Sequence, residues 1–593
     1  MAESLTSRFR VVCLFLIILV GFGAVFSRLV YLHVVAQPEL LSFVETSRHR
    51  EDVIPARRGK IVDSRGNLLA FTRTFWTVGV DPVAAEGQVT ESELVELAQI
   101  LNISLAQAHK AFQIRVVDGR ARRWAKLAER IDRDQMERLG ELDVAGVYGN
   151  AEFVRHYPGH THGSHILGFV NAEHVGVTGL ERTFDFYLRG QNGWRESERD
   201  GKRRELAQFR SREIPSRDGL NLELSLDQVV QHLAEDALAW TMENFKPQAA
   251  TIIVSEPSTG FLLALANAPD FDPNHYSDYP VETHRNLALT DVYEPGSTFK
   301  IVAASAALEE GLVTTQDRFD TSLSAVNYKG RRVRLPKDSH TYDELSMAEI
   351  VIKSSNRGAA FLGMMLGEDR LHAYTKDFGF GEETGIFLPG EVSGTLHPVK
   401  RWDGLTISRL PMGHAIAATP MQVHMSMSVL ANEGILMEPQ LVRRIFDDSG
   451  ETLATYSPRA RRRVVSMETA RRMTALLAEV VGEQGTARKA ELEGFQVAGK
   501  TGTTQKIVDG RYSNQHHVAS FSGYFPAANP RVVVTVVVDE PDIGRTGYGG
   551  AVAAPVFQRL GEGIAQYLRI ETIDAQHGQN MLAWEGGRHG SHR

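Results

Sequence analysis

The sequence predicts a large α/β (α+β) domain that follows an elongated β-rich segment and one N-terminal transmembrane helix. Three observations predict it. An uncharged run, Val11–Ser27 (VVCLFLIILVGFGAVFS), lies close to the N-terminus. From about Arg48 to Arg217 the chain is irregular, with short alternating runs such as GKIVDSRGNLLA and many Gly, Pro and Arg residues. After Asp218, strand-like and helix-like segments alternate for about 340 residues, a large span for one core.

At 593 residues the chain exceeds one ordinary domain, so at least two folded units are expected. Its 42% hydrophobic, 23% charged and 8% aromatic content is that of a globular protein and argues against a disordered or fibrous chain. Sixty-five Lys and Arg against 73 Asp and Glu leave a net charge of −8 with no global basic field, so a general nucleic-acid binder is not expected. Cys13 is the only cysteine, which excludes an intrachain disulfide and a Cys-rich metal site.

A spanning helix needs about 17–25 apolar residues. Val11–Ser27 reaches the short end of that range, and apolar character resumes after Arg28 with LVYLHVVA. A cleaved signal peptide would carry an apolar core of about 7–15 residues and a small-residue cleavage site. Here the run is longer, and Val25, Phe26, Leu29, Val30 and Tyr31 crowd its far end, so an uncleaved anchor over residues 11–35 is expected. Arg8 and Arg10 favour a cytoplasmic N-terminus for residues 1–10, and Arg28 can snorkel to the far interface. Cys13 lies within the span, so the exported part must fold without disulfides.

Along the exported chain, Glu91–Phe112 reads as helical. Arg195–Arg217 has no sustained apolar period and reads as a solvated connector or extended hairpin. NLELSLD alternates like a strand, and Gln228–Phe245 carries helical periodicity. ATIIVSEPSTGFLLALAN reads as two strands about a Pro-Ser-Thr-Gly turn. Ser297–Glu310 is helix-like, with Gly311 as its C-cap. The valine run Val532–Val538 reads as a buried strand. The polar, Gly/His-rich tail 571–593 reads as disordered. No period of 20–50 residues marks a repeat architecture.

The segment richest in chemistry is Glu294-Pro-Gly-Ser-Thr-Phe-Lys300. A Pro-Gly turn delivers Ser297 to the start of an apolar helix, and Lys300, three residues on, shares its face. A serine needs a base beside it to act as a nucleophile, and a helix start supplies backbone N–H groups for an oxyanion. Alone, this four-residue pattern recurs by chance in a chain of this length and reads first as a capping serine with a solvated lysine. Two further segments change that reading. Ser354-Ser355-Asn356 offers a hydroxyl and a carboxamide suited to proton relay and amide recognition. Lys500-Thr501-Gly502-Thr503 follows an apolar stretch, as a strand leading into a hairpin would, and its glycine leaves room for substrate backbone. SxxK, SxN and KTG in this order are the motif set of penicillin-recognising serine enzymes.

With these motifs the chain resembles the class B penicillin-binding proteins, membrane-anchored D,D-transpeptidases of peptidoglycan synthesis. Further segments carry the resemblance. Arg58-Gly-Lys-Ile-Val-Asp63-Ser-Arg-Gly66-Asn-Leu-Leu-Ala70, Arg155-His-Tyr-Pro158 with His165-Ile-Leu-Gly168, and Gly179-Leu-Glu181 match the pedestal motifs. Gly485-Thr486-Ala487, Ala498-Gly499, Gly523-Tyr524-Phe525-Pro526 and Ala553-Ala554-Pro555 match the transpeptidase domain. The likeness spans roughly Arg28 to Phe557 and departs only at Ser64-Arg65, away from any chemistry. It implies a pedestal (dimerisation-like) domain over 45–217 and a transpeptidase domain over 218–570.

The resemblance also implies roles. Ser297 is the acylated nucleophile, Lys300 its general base and Lys500 a second cation that lowers the Lys300 pKa. Ser354 relays a proton to the leaving D-alanine, and Asn356 holds the substrate amide and orients Lys300. Thr501 and Thr503, with Gly502 between them, bind the carboxylate end of the D-Ala-D-Ala stem. The backbone N–H groups of Ser297 and Thr503 form the oxyanion hole. Which lysine takes the proton in each step stays open. Histidines 160, 162 and 165 lack an HExxH pattern or a neighbouring carboxylate cluster and read as a structural loop, so neither metal nor cofactor is expected.

A β-lactamase shares the triplet but is usually secreted and shorter. A penicillin sensor would have several spans, and a scaffold would not need an intact nucleophile set. The pedestal motifs leave no room for a glycosyltransferase domain before residue 218. The resemblance therefore implies a SEDS-type glycosyltransferase and other division proteins as partners, stem peptides as substrate and β-lactams as covalent inhibitors. The FDFYLRGQNGWR segment and compact pedestal resemble the septal, FtsI-like branch more than the elongation branch. The implied location is the bacterial cytoplasmic (inner) membrane, single-pass, with the catalytic domain outside the cytoplasm.

Overall fold

The computed structural model describes residues 2–35, 49–117, 120–198, 212–542 and 548–572. The tail expected to be disordered lies, beyond Thr572, outside the described residues. Helix Ala2–Val30 passes into a single π-helical turn at Tyr31–Val35. Among the described residues, one stretch, Phe9–Val34, is long and apolar enough to cross a membrane, with a mean hydropathy of 2.6.

The chain packs as two units. One comprises residues 1–57 and 190–219, and the other residues 58–189 with 220–593. In the first, strand His49–Ile54 pairs antiparallel with Gly193–Glu198, which pairs with Arg212–Ile214. The charge-rich stretch read as a connector or hairpin thus supplies two strands, and its middle lies outside the described residues.

In the second unit the stretch read as one helix is two, Glu91–Ile100 and Leu105–Phe112. Each opens on a capping box, Thr90 with Glu93 and Ser104 with Gln107. The second box restarts the chain after the first helix ends, because both orphan donors at its start are satisfied locally.

The pedestal motifs meet in a buried ionic cluster. Glu181 accepts from Arg58 Nε (2.6 Å), Arg155 Nε (2.7 Å) and Tyr157 OH (3.2 Å), and Arg58 Nη1 also donates to Asp185 (2.7 Å). Glu181 and both arginines are buried. Removing one partner from such a cluster strands the others and typically costs about 3–5 kcal/mol.

Close to the boundary expected at 217/218, the chain passes at Gly219/Leu220 from the first unit into the second. Strand Asn221–Leu224 runs parallel to Ile61–Val62 on one side and antiparallel to Val442–Phe446 on the other. One seven-stranded sheet therefore draws on both expected domains, and a single core joins Ile61, Ala70 and Tyr157 to Leu222, Leu224 and Leu441.

Five antiparallel strands form the second large sheet, in the order Leu262–Ala268, Ala249–Ser255, Val532–Asp539, Arg511–Phe525, Ala498–Val508. The valine strand lies at its centre with every residue from Val532 to Val538 buried, so the run is continuously apolar rather than alternating. Helices Gln228–Phe245 and Gly549–Tyr567 pack together and against the sheet, as do Pro420–Ala431 and Met467–Val481. Helix Lys300–Glu309 is buried from Lys300 through Leu308, as a helix apolar on all sides must be. It ends as expected at Gly311, whose N–H reaches Leu308 O while Leu312 N–H reaches Ala307 O.

Candidate active site

Ser297 lies in a 3₁₀ turn, Gly296–Phe299, and the α-helix begins only at Lys300. The Lys300 N–H closes the turn on Ser297 O. In 3₁₀ geometry residues i and i+3 eclipse, so both side chains leave the same side of the turn. Gly296 has φ +56°, and a Cβ on it would fall 2.4 Å from Thr504 Oγ1. The turn is thus pressed against the strand that carries the KTG motif.

Lys300 is 2% exposed, and its Nζ donates to Asn356 Oδ1 (2.7 Å), to Ser354 Oγ (3.1 Å) and to the Ser354 carbonyl. Burial, and then the Lys500 ammonium, push the Lys300 amine well below the ordinary lysine value, with Asp338 pulling the other way. Lys500 is fully buried, its Nζ 3.5 Å from Thr501 O, and burial brings its pKa down to about 7. Among the described residues Ser297 Oγ has no hydrogen-bond partner, so the lysine that shares its face is held by the SxN segment.

Asn356 opens helix Asn356–Leu366, and its Nδ2 donates to Lys337 O (2.8 Å). Its carboxamide thus lies between Lys300 Nζ and the Lys337 carbonyl. Ser355, given no role by the sequence reading, is the N-cap and accepts from Gly358 N–H (2.9 Å). Asp338 also escaped that reading. It accepts from Ser355 Oγ (2.7 Å), from Arg357 N–H (3.1 Å) and from Asn356 N–H, and so fixes the start of this helix. An aspartate 18 residues before Asn356 carries no local signal of that job.

Lys500, Thr501, Gly502 and Thr503 lie on Ala498–Val508, the edge strand of the five-stranded sheet. Thr501 Oγ1 pairs with Thr486 Oγ1 at 3.0 Å, which brings the Gly485-Thr486-Ala487 motif to the site. Thr503 Oγ1 accepts from Gly549 N–H (2.9 Å). The glycine at 502 also answers to the packing around it. A Cβ there would meet Ser520 Oγ at 2.3 Å, and Pro295 O and Thr298 Cγ2 at 3.0 Å, so the missing side chain lets the edge strand close on the serine turn.

Glu294 was quoted in the motif but assigned nothing. It accepts from Ala415 N–H (2.9 Å) and Tyr512 OH (3.0 Å) and pairs with His414 Nδ1 (3.0 Å). Although burial opposes it, the bonds from His414, Ala415 and Tyr512 hold this carboxyl below its ordinary value. The histidines weighed as metal ligands take separate partners. His165 donates to Thr283 O (2.8 Å), His160 pairs with Asp272 (2.9 Å) and His162 with Glu235.

Residues 250–562 match the penicillin binding protein transpeptidase domain, and residues 53–224 match the penicillin-binding protein dimerisation domain. The chain is 34% identical over 558 residues to stage V sporulation protein D of Bacillus subtilis, covering 93% of this chain and 85% of that protein. It is 29% identical over 574 residues to the peptidoglycan D,D-transpeptidase FtsI of Escherichia coli, covering 96% and 93%. The crystal structure of penicillin-binding protein 3 from Mycobacterium tuberculosis with aztreonam superposes with a TM-score of 0.68 at 26% identity, over 88% of this chain and 98% of that one. With both domains matched in order around a buried lysine pair, a serine turn and an SxN loop, the chain belongs to the class B penicillin-binding proteins, the FtsI-like peptidoglycan D,D-transpeptidases.

Proposed function

We propose that Ser297 is the residue acylated by the stem peptide and by β-lactams, with Lys300 as its base. The observation that carries this reading is Lys300 itself, a buried amine fixed by Ser354 and Asn356 beside a second buried lysine. A lysine whose amine is pushed well below its ordinary value gives up its proton more readily and, once neutral, can take the serine proton. Ser297 Oγ then bonds to the penultimate D-alanine carbonyl, and the C–N bond breaks. The proton passes by Ser354 to the leaving D-alanine amine. Asn356 holds the substrate amide, Thr501, Gly502 and Thr503 receive the terminal carboxylate beside Lys500, and the N–H groups of Ser297 and Thr503 stabilise the oxyanion. An amine of a neighbouring stem resolves the ester.

Residues 45–217 act as pedestal and 218–570 as the catalytic unit. The N-terminal helix anchors the chain in the cytoplasmic membrane with residues 1–10 inside and the catalytic unit outside, a reading supported by Arg8 and Arg10. The protein works at the division septum with a SEDS-type glycosyltransferase, as the near full-length likeness to FtsI supports. The higher identity to a sporulation protein favours a second reading, wall synthesis during spore formation. Labelled penicillin tests the chemistry: Ser297→Ala must lose covalent label while keeping its fold, and label surviving on Ser354 would sink the assignment. A tagged copy at midcell in dividing cells supports the septal role, whereas accumulation around the forming spore favours the second reading.

A further inference from the structure

A cleft of about 570 Å³ opens beside the edge strand, away from Lys300, Ser354 and Asn356. Leu287, Val292, Ile507 and Val518 line its apolar part, and Asp291 and Asp539 contribute carboxylates. Its size falls within the range of small-molecule sites, which join an apolar lining to a few placed polar groups. Val292 and Ile507 are 47% and 58% exposed, so apolar surface reaches the mouth.

The charges are unevenly matched. Asp291 pairs with Arg285 at 3.1 Å, but Lys506 is shared between Asp539 (3.1 Å) and Glu540 (2.6 Å), the latter also paired with His516 Nδ1 (2.7 Å). Burial raises the Asp539 carboxyl above its ordinary value despite Lys506, and the charges of Glu540 and Asp291 push in the same direction. Carboxylates that repel one another beside an apolar wall are relieved by a cation placed among them, and an anion worsens the repulsion.

We propose that this cleft is a second ligand site, one for a small molecule or peptide end bearing a primary ammonium on an apolar body. The ammonium sits between Asp291 and Asp539, and the body lies against Val292 and Ile507. The site is coupled to the serine turn. Thr504 lines the cleft, and its Oγ1 occupies the space that a Cβ on Gly296 would need. Glu294 also lines it, three residues before Ser297. Displacing Thr504 therefore shifts the turn, and occupancy is read out as a change in acylation rate. That coupling rests on the assignment of Ser297 as nucleophile, whereas the binding itself does not.

The test uses the full chain in nanodiscs at pH 7.5, with empty nanodiscs as reference and three probes of one shape: 4-phenylbutylammonium, 4-phenylbutanol and 4-phenylbutyrate. Saturable binding of the ammonium, at least tenfold tighter than the other two, is expected. Asp539→Asn weakens it at least fivefold, and Val292→Trp, at a half-exposed wall position, abolishes it. At saturation the ammonium changes the penicillin acylation rate at least threefold in wild type and leaves Val292→Trp unaffected. Equal binding of the three probes, or binding indifferent to both substitutions, overturns the site. Saturable, substitution-sensitive binding with an unchanged acylation rate overturns the coupling. Should penicillin label persist in Ser297→Ala, the nucleophile assignment fails while the probe comparison still decides the site.

Discussion

Ser354 Oγ stands 3.1 Å from Lys300 Nζ, on a residue whose φ is +59°. Ser354 follows helix Met347–Ile352 and its C-cap Lys353, and its N–H reaches Val351 O while Ser355 N–H reaches Ile350 O. This is the paired closure for which glycine is the preferred residue. A side chain in that left-handed region costs about 1 kcal/mol relative to glycine. Ser354 thus places a hydroxyl on Lys300 against the preference of its own backbone.

Ser354→Gly should therefore separate stability from chemistry. It removes the hydroxyl and the strain together, so thermal stability holds or rises by a few degrees while penicillin acylation falls about 100-fold. Ser354→Ala loses the hydroxyl but keeps the strained Cβ, and should melt below the glycine variant. Calorimetry and acylation rates on both variants decide it. A glycine variant less stable than the alanine one contradicts the account.

Lys300→Arg keeps a positive charge that does not leave near neutral pH. If the neutral amine is the base, acylation should fall nearly as far in Lys300→Arg as in Lys300→Ala. The wild-type rate should climb with pH through the lowered Lys300 value and then level. Second-order acylation rates from pH 6 to 10 measure this, and near wild-type rates in the arginine variant would move the base elsewhere.

Lys500 should make the wild type more stable as pH rises. Folded, its pKa is about 7; unfolded it returns to about 10.4. Between those values the unfolded chain holds a proton that the folded chain lacks, so native stability grows with pH across that window. Lys500→Met should abolish activity while removing the buried amine. Its urea midpoint should exceed that of wild type at pH 7, and the gap should narrow towards pH 10. A gap that widens reverses the sign of the argument.

Gly502→Ala should lower both stability and acylation, because its Cβ falls 2.3 Å from Ser520 Oγ. Adding Ser520→Ala removes that atom and should recover part of the stability, leaving the 3.0 Å contacts with Pro295 and Thr298 as the residual cost. Strictly additive losses in the double variant would show that the serine is not what excludes the side chain.

Features set by near neighbours were legible in the sequence. The apolar run at residues 11–27, the turn and helix about Ser297 and Lys300, the valine strand and the glycine after Glu310 all follow from residue type and spacing over a few positions. The capping boxes at Thr90 and Ser104 are equally local, and their signal marks the break that the single-helix reading passed over. What Lys300 touches was decided by tertiary structure: its partners Ser354 and Asn356 lie 54 and 56 positions away, and its lowered pKa comes from burial and from Lys500. Asp338 at the start of the Asn356 helix, Glu181 between Arg58 and Arg155, the closure of Gly502 on the serine turn, and the sheet that joins Ile61 to Leu222 are decisions of the same kind. Local preferences act through backbone sterics and side-chain period. Desolvation, ion pairing and close backbone approach exist only once distant segments have excluded water between them.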